Sequence, residues 1–284
     1  MNRFFGFLLL MTAAIIWGFA FVAQRRGAAV VDTFTFNGLR FLLGAIALLP
    51  VAWWFKTRFK GALIPGVALG VALFTGANLQ QHALTWVSAG KAAFLTGFYL
   101  VLVPIGLAYF TRRIPWQKLF FASLGLIGLF FLSVNEAFAL GEGDGWVISS
   151  ALFWALHVIM IDRMVEKHDA LALAIYQFIT TAVLSLVFAA PKLPHYPVAD
   201  LYSIAPEIVF AGLMSVAVAY TLQIIGQKSV DGTSAAVVLS LETVFAALGG
   251  WWLLDEVLTN RQLMGAAIML LAMILAQLPE RQRR

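Results

Sequence analysis

Leu239-Ser-Leu-Glu242-Thr-Val-Phe-Ala-Ala-Leu-Gly-Gly-Trp-Trp-Leu-Leu-Asp255-Glu256 is the stretch on which the reading of this chain turns. Glu242 is the one charge between Ala235 and Leu254, a run long enough to cross a bilayer. An ionisable side chain at that depth costs roughly 2.5–3.5 kcal/mol, so a carboxylate there is a functional-site candidate by default.

Working outward, the whole chain has the same character. Of 284 residues, 62% are hydrophobic and only 12% charged, against about a quarter charged in soluble domains; the chain reads as an all-α integral membrane protein. It contains no cysteine, which excludes disulfides, thiolate metal sites and cysteine nucleophiles together. The net charge of +5 does not point to nucleic acid, because the basic residues sit in short connections between apolar runs, where topology signals belong. The first run follows Asn2-Arg3, and Ala20-Phe-Val-Ala23 has some likeness to a signal-peptide cleavage site. At 4–23 it is nearer a full span than a signal core, and Trp17 recurs in the second half, so it reads as a helix.

Apolar runs of helical length fall at about 4–23, 34–54, 63–83, 91–110, 117–134, 145–162, 170–190, 204–225, 233–254 and 262–278, which predicts ten transmembrane helices. The longer connections carry breakers, two glycines between Asn135 and Asp144 with a third just after it and three prolines in Pro191–Pro197, and no stretch is left for a soluble domain. Thirteen Lys and Arg fall in one set of alternate loops and five in the other, with Arg40 inside a span. That asymmetry predicts a multi-pass protein of the inner (plasma) membrane with both termini in the cytoplasm.

The sequence also repeats itself. A shift of 137 takes Trp17 to Trp154, Asp32 to Asp169 and Arg40 to Gln177; a shift of 143 takes Gln80 to Gln223 and Tyr99 to Glu242. This divides the chain into two units, residues 1–137 and 138–284, of five helices each. Because five is odd, the second unit enters the membrane from the opposite side. Inverted repeats of this kind are a hallmark of secondary transporters, with the site near the midplane where the repeats meet.

Trp17-Gly18, Leu39-Arg40-Phe41, Leu95-Thr-Gly-Phe-Tyr-Leu-Val-Leu-Val-Pro104 and the opening stretch with Gly265 after it carry a resemblance to a known family. The chain resembles the drug/metabolite transporter superfamily in its ten-span branch with two EamA-type repeats. It departs from the pattern at Thr243, where proline is usual, and at Arg112-Arg113, where the first repeat would be acidic. The resemblance implies export or exchange of small metabolites, commonly amino acids, by alternating access with no bound cofactor.

Candidate site residues are the polar and aromatic groups inside spans. Glu242 reads either as a substrate-amine or proton site or as a structural carboxylate paired with Arg40; its repeat partner Tyr99 would face the same cavity. Arg40 reads first as a structural or charge-pairing clamp and second as a bidentate partner for a substrate carboxylate. Trp154 and His157 share a helix face, with Trp17 matching Trp154 in the first repeat; His157 is a weak proton-relay candidate. Asn78, Tyr176, Tyr220 and Gln223 complete the expected cavity lining, each with interhelical hydrogen bonding as the competing role. Glycine pairs such as Gly66 with Gly70 are assigned to packing. Enzyme signatures are missing, and there is no His and carboxylate cluster at metal spacing, so no catalytic residue, metal or cofactor is expected.

The reading is a secondary transporter of small metabolites, amino acids first, with the lipid bilayer as its solvent and protons as a second candidate species. Two other classes compete. A non-transporting scaffold or regulatory subunit would have a closed apolar centre, and a membrane-embedded enzyme on lipid-linked substrates would have a polar cluster at one interface. The sequence leaves open the choice between monomer and dimer.

Overall fold

The structure is a computed structural model that describes residues 2–87, 89–112, 115–133, 141–253 and 258–276. Its elements in chain order are α1 (Arg3–Ala28), α2 (Thr33–Trp54), α3 (Leu63–Ala83), α4 (Ala89–Thr96), α5 (Tyr99–Thr111), α6 (Trp116–Ser133), α7 (Asp144–Met164) and α8 (Ala170–Ala189). After these come α9 (Val198–Ser203), α10 (Ala205–Phe210), α11 (Thr221–Gly226), α12 (Gly232–Leu239), α13 (Glu242–Leu253) and α14 (Asn260–Ala276). A π-helical segment, Ala211–Tyr220, joins α10 to α11 without a break, and a 3-10 turn occupies Leu193–His195 in the proline-rich connection. No strand occurs among the described residues.

Seven stretches are long and apolar enough to cross a membrane: α1, α2, α3, α7, α8, Ala205–Gly226 and Gly232–Gly249. Three shorter apolar helices, Tyr99–Phe110, Trp116–Leu132 and Asn260–Ala276, lie where the sequence predicts further spans. Leu, Ile and Val side chains such as Ile46, Leu49, Val183, Val187 and Ile274 point outward and are exposed. In water they would be a liability; in lipid they face their own kind. Exposed aromatics gather at helix ends, with Trp53 and Trp54 closing α2, Tyr109 and Trp116 flanking the α5–α6 link, and Trp251 and Trp252 near the end of α13. These are the ends at which a membrane protein meets the lipid–water interface.

Helix starts are set by short polar side chains. The Asp32 carboxylate accepts from the Phe34 and Thr35 amides at the head of α2, and Asp169 does the same for Leu171 and Ala172 at the head of α8. These N-caps satisfy amide donors that the first helical turn leaves free. The two aspartates are 137 positions apart and perform one job. Gly143, at φ 90°, turns the chain into α7 in a conformation that favours glycine, and Asp144 follows it with only 2% exposure. The buried Asp144 carboxylate accepts from Lys91 Nζ at 2.6 Å and from the Gly141 amide at 2.8 Å.

The sequence predicts continuous helices over 91–110 and 233–254, and the structure corrects both. Gly97 and Phe98 separate α4 from α5, and Ser240 and Leu241 separate α12 from α13. At the first break the amides of Phe98, Leu100 and Val101 reach back only three residues, to Leu95, Gly97 and Phe98. At the second, Leu241 reaches Val238 and Thr243 reaches Ser240 in the same way, while Ser240 Oγ donates to the Val237 carbonyl at 2.8 Å. A glycine in one case and a serine that competes for backbone in the other explain where the ladders fail. The breaks fall 143 positions apart, so Tyr99 opens α5 as Glu242 opens α13.

Two large buried apolar clusters fill the interior, one including Leu10, Leu100, Leu129 and Leu239, the other Phe41, Leu69, Leu173 and Phe178, beside a small third one of Val31, Phe36, Ile204 and Ala211. Trp17 and Trp154 pack against both large clusters and so stand at their junction. Gly18 lets α1 lie directly on α13, since a Cβ there would sit 2.6 Å from Phe245 Cβ and 2.8 Å from the Glu242 carbonyl oxygen. Asp255 and Glu256, the acidic end of the opening stretch, lie outside the described residues, as do Arg113, residues 134–140 and the basic C-terminal residues Arg281, Arg283 and Arg284.

Candidate functional site

The two helix breaks bring both broken helices to one central cavity. Tyr99 enters it from the first turn of α5 and Glu242 from the first turn of α13. α12 packs on α5 and α13 on α4, and the Tyr99 hydroxyl lies 3.4 Å from the Ala236 carbonyl oxygen of α12, to which it donates. α1 contributes Trp17, Phe21 and Gln24, one face at helical spacing. α7 contributes Trp154 and Val158, α2 contributes Arg40, and the π segment with α11 contributes Ser215, Tyr220 and Gln223. Gln80 of α3 and Thr96 of α4 close the wall, with Gln80 Nε2 donating to Thr96 Oγ1 at 2.9 Å.

Tyr220 is the centre of the aromatic lining. Its ring is 4.7 Å from that of Trp17 and stacks on that of Trp154 at 6.3 Å with an 18° interplanar angle. Trp17 is fixed from the far side by its Nε1, which donates to the Ser215 carbonyl oxygen at 3.1 Å within the π segment. π turns occur frequently at functional sites, and this one supplies both a backbone acceptor and the ring that the two indoles hold.

Polar groups at the cavity are under-used. Trp154 Nε1 and Gln223 Oε1 are buried without a hydrogen-bond partner among the described residues. The expected ion pair between Arg40 and Glu242 is not made: among the described residues no carboxylate lies within 4.0 Å of the Arg40 guanidinium. Arg40 Nε instead donates to Asn37 Oδ1 at 2.8 Å, and its guanidinium lies over the Phe41 and Phe36 rings at 4.9 and 5.7 Å. The cavity measures about 50 Å³. With roughly 10–15 Å³ needed per water on that measure, it has room for a few waters.

Of the residues singled out from sequence, Trp17, Tyr99, Trp154, Tyr220, Gln223, Glu242 and Arg40 surround this cavity. Asn78, His157 and Tyr176 do not. Asn78 is taken up in a buried network, accepting from Asn37 Nδ2 at 3.0 Å and donating to the Phe74 carbonyl at 2.8 Å and to Ser185 Oγ at 3.2 Å. His157 stands behind Trp154 and Tyr220, with Nε2 2.9 Å from Gln177 Oε1. Tyr176 lies on the face of α8 that fills the hollow at Gly66 of α3, and its ring meets Phe59 edge-on. Phe21, Gln24, Thr96, Val158, Ser215 and Leu239 were not singled out from sequence. Gln24 was within reach of it, seven residues after Trp17 on the same face; Ser215 carries no sequence signal. Among the described residues no group of three His or carboxylate side chains could hold a metal ion.

Comparison with known proteins relates the chain to transporters. The profile described as "EamA-like transporter family" matches the chain twice, over residues 4–134 and 141–278. A protein of Archaeoglobus fulgidus named an uncharacterized transporter is 30% identical over 98% of this chain and 87% of its own length. A protein of Rickettsia prowazekii named as an S-adenosylmethionine uptake transporter is 26% identical over 81% of this chain and 78% of its own. One crystal structure superposes with a TM-score of 0.80 over 96% of both chains at 18% identity, a likeness of fold.

Proposed function

Since the chain belongs to the EamA-like transporter family, we propose that it is a secondary transporter of the inner membrane that exports or exchanges small metabolites, amino acids first, by alternating access. Both termini are cytoplasmic in this reading, from the bias of Lys and Arg in alternate loops.

Residues 1–137 and 138–284 are taken as two inverted repeats of five helices. Three features support this. The family profile matches once in each half; Asp32 and Asp169 cap equivalent helices; and the breaks at 97–98 and 240–241 fall at equivalent places in two helices whose pieces pack on one another. Pairwise packing has the same logic, α1 against α12 and α13, α7 against α4 and α5, and α6 against α14.

The observation that carries the transport reading is the central cavity lined from both halves by the breaks, with Arg40 and Glu242 facing it and in no ion pair among the described residues. Broken helices at a repeat interface are a recurrent way to build a transport site. At about 50 Å³ the cavity holds water and not an amino acid, so substrate entry requires the two repeats to rock apart. Latches exist at helix ends for such a motion: Lys91 with Asp144 at the heads of α4 and α7, and Asp231 with Lys118 and Arg3 at the head of α12. Amino acids suit the lining, because the aromatic rings accept a side chain and the charges accept its ends. S-adenosylmethionine, the substrate in one relative's name, itself ends in an amino-acid group.

Purified protein in liposomes, preloaded with a mixture of unlabelled amino acids, is expected to take up labelled amino acids by counterflow. Failure with every amino acid, in either direction and under any imposed gradient, overturns the substrate assignment. Protons are the second proposed species, and Glu242→Gln is expected to abolish the pH dependence of uptake while counterflow persists at raised substrate concentration. Loss of both together with poor folding would instead make Glu242 architectural.

A further inference from the structure

Arg40 is buried, 2% exposed, yet every hydrogen bond it makes uses Nε. Asn37 Oδ1 accepts that bond, Asn37 Nδ2 donates to Asn78 Oδ1, and Asn78 Nδ2 donates to Ser185 Oγ. This chain of three amide and hydroxyl side chains on α2, α3 and α8 fixes one edge of the guanidinium, while Phe36 and Phe41 cover its planar face. The two terminal amino groups, the edge that grips a carboxylate in bidentate fashion, have no hydrogen-bond partner among the described residues. They belong to a residue that lines the cavity.

Glu242 shows the converse. It lines the same cavity with no hydrogen-bonding or ion-pairing partner for its carboxylate among the described residues. Tyr220 lines that cavity together with both. The rings of Trp17 and Trp154 flank that tyrosine. Burying one unpaired charge is costly, and an ion pair would relieve both. This protein keeps a cation and an anion at one cavity and apart from each other, with an aromatic ring in the same lining.

We propose that Arg40 and Glu242 are the carboxylate and ammonium anchors for one zwitterionic substrate, and that Asn37, Asn78 and Ser185 are positioning residues that hold the Arg40 fork open toward the cavity. The assignment rests on the transport reading above. A free amino acid completes both charges at once. An amino-acid methyl ester leaves Arg40 unpaired and an N-acetyl amino acid leaves Glu242 unpaired. A site built around buried polar partners rejects a ligand that lacks one of them far more strongly than an apolar pocket rejects a missing methylene. The aromatic rings add attraction for the cationic end.

The test compares methionine, phenylalanine and lysine with their methyl esters and N-acetyl derivatives, by counterflow in liposomes and by shift of the thermal midpoint of the purified protein. Wild type is expected to favour at least one free amino acid over both derivatives by about tenfold or more in apparent affinity. Arg40→Gln is expected to lose discrimination against the ester and keep it against the N-acetyl form; Glu242→Gln reverses the pattern. Arg40→Lys retains part of the discrimination, which separates charge from folding. Asn78→Ala lowers the free-acid-to-ester ratio, a quantity that loss of folded protein alone does not change. Wild type that takes ester and free amino acid equally well overturns the anchor assignment while leaving transport standing. Wild type that neither moves nor is stabilised by any of these compounds removes the amino-acid reading and the anchors with it.

Discussion

Replacing Gly18 by alanine adds one methyl group at a close contact between α1 and α13, and the structure sets the size of the effect. The new Cβ would lie 2.6 Å from Phe245 Cβ and 2.8 Å from both the Ala246 amide nitrogen and the Glu242 carbonyl oxygen. Carbon atoms rest at about 3.5–4.0 Å, so the helices must separate by roughly 1 Å, and two of the three obstructing atoms are backbone that cannot rotate away. Overpacking of this kind costs about 1–3 kcal/mol. Gly125 of α6 is the matched control, since a Cβ there would meet Leu100 Cδ1 at 3.5 Å and Ala272 Cβ at 3.8 Å, ordinary contact distances. Alanine is also the better helix former by about 1 kcal/mol, so Gly125→Ala is expected to be neutral or stabilising. The assay is the thermal midpoint of each purified variant in one detergent, monitored by tryptophan fluorescence, with Gly18→Ala falling below wild type and Gly125→Ala at or above it. A Gly18→Ala protein as stable as Gly125→Ala would refute the contact between α1 and α13 and the placing of Trp17 beside Glu242.

Lys91→Met strips the partner from a carboxylate that is almost fully buried at Asp144; a loss of about 3 kcal/mol is expected. Lys91→Met combined with Asp144→Asn should recover much of that loss, and strict additivity in the double variant would count against the pair. At the head of α12, burial works against the charge of Asp231, but Lys118 at 3.2 Å and the amide and hydroxyl of Ser234 outweigh it and hold the carboxyl below its ordinary value of 3.8. A depressed carboxyl stabilises above its unfolded pKa and stops doing so as pH falls through its folded one. The thermal-midpoint difference between wild type and Asp231→Asn should therefore be constant from neutral pH down to about 4 and shrink below that. A difference that closes near pH ~6 would point to another group.

Apolar length and turn chemistry were readable from sequence because both are local. The runs that became α1, α2, α3, α7 and α8 are visible as lengths of uncharged sequence, and Asp32 and Asp169 are visible as capping residues ahead of apolar runs. The pairing of Tyr99 with Glu242 was also visible, as a constant offset. Its structural meaning was not. A helix break inside an apolar run leaves no mark in hydropathy, and only Gly97 and Ser240 hinted at it. The π segment left less still, since Ala-Gly-Leu-Met-Ser-Val-Ala-Val-Ala-Tyr reads as any apolar helix. Side-chain identity also failed to say which way a polar residue turns. Asn78, His157 and Tyr176 each found partners in a neighbouring helix, and a polar group in lipid is satisfied equally by a neighbour or by a cavity. Only the packing at Gly66 and the Asn37–Ser185 network decide between those outcomes.

The π segment gives its helix a property that the α-helices around it lack. Over Ala211–Tyr220 each amide reaches back five residues instead of four, so the backbone there stores more chain per turn than α10 and α11 on either side. A wide turn can migrate along a helix by exchanging one set of hydrogen bonds for the next, with no residue left unbonded for long. As it passes, everything beyond it rotates as a block. Tyr220 and Gln223 follow Ser215, whose carbonyl is tied to Trp17, so one wide-turned segment carries both the tether of α1 and the ring held between the two indoles, and a change in its winding would move one against the other.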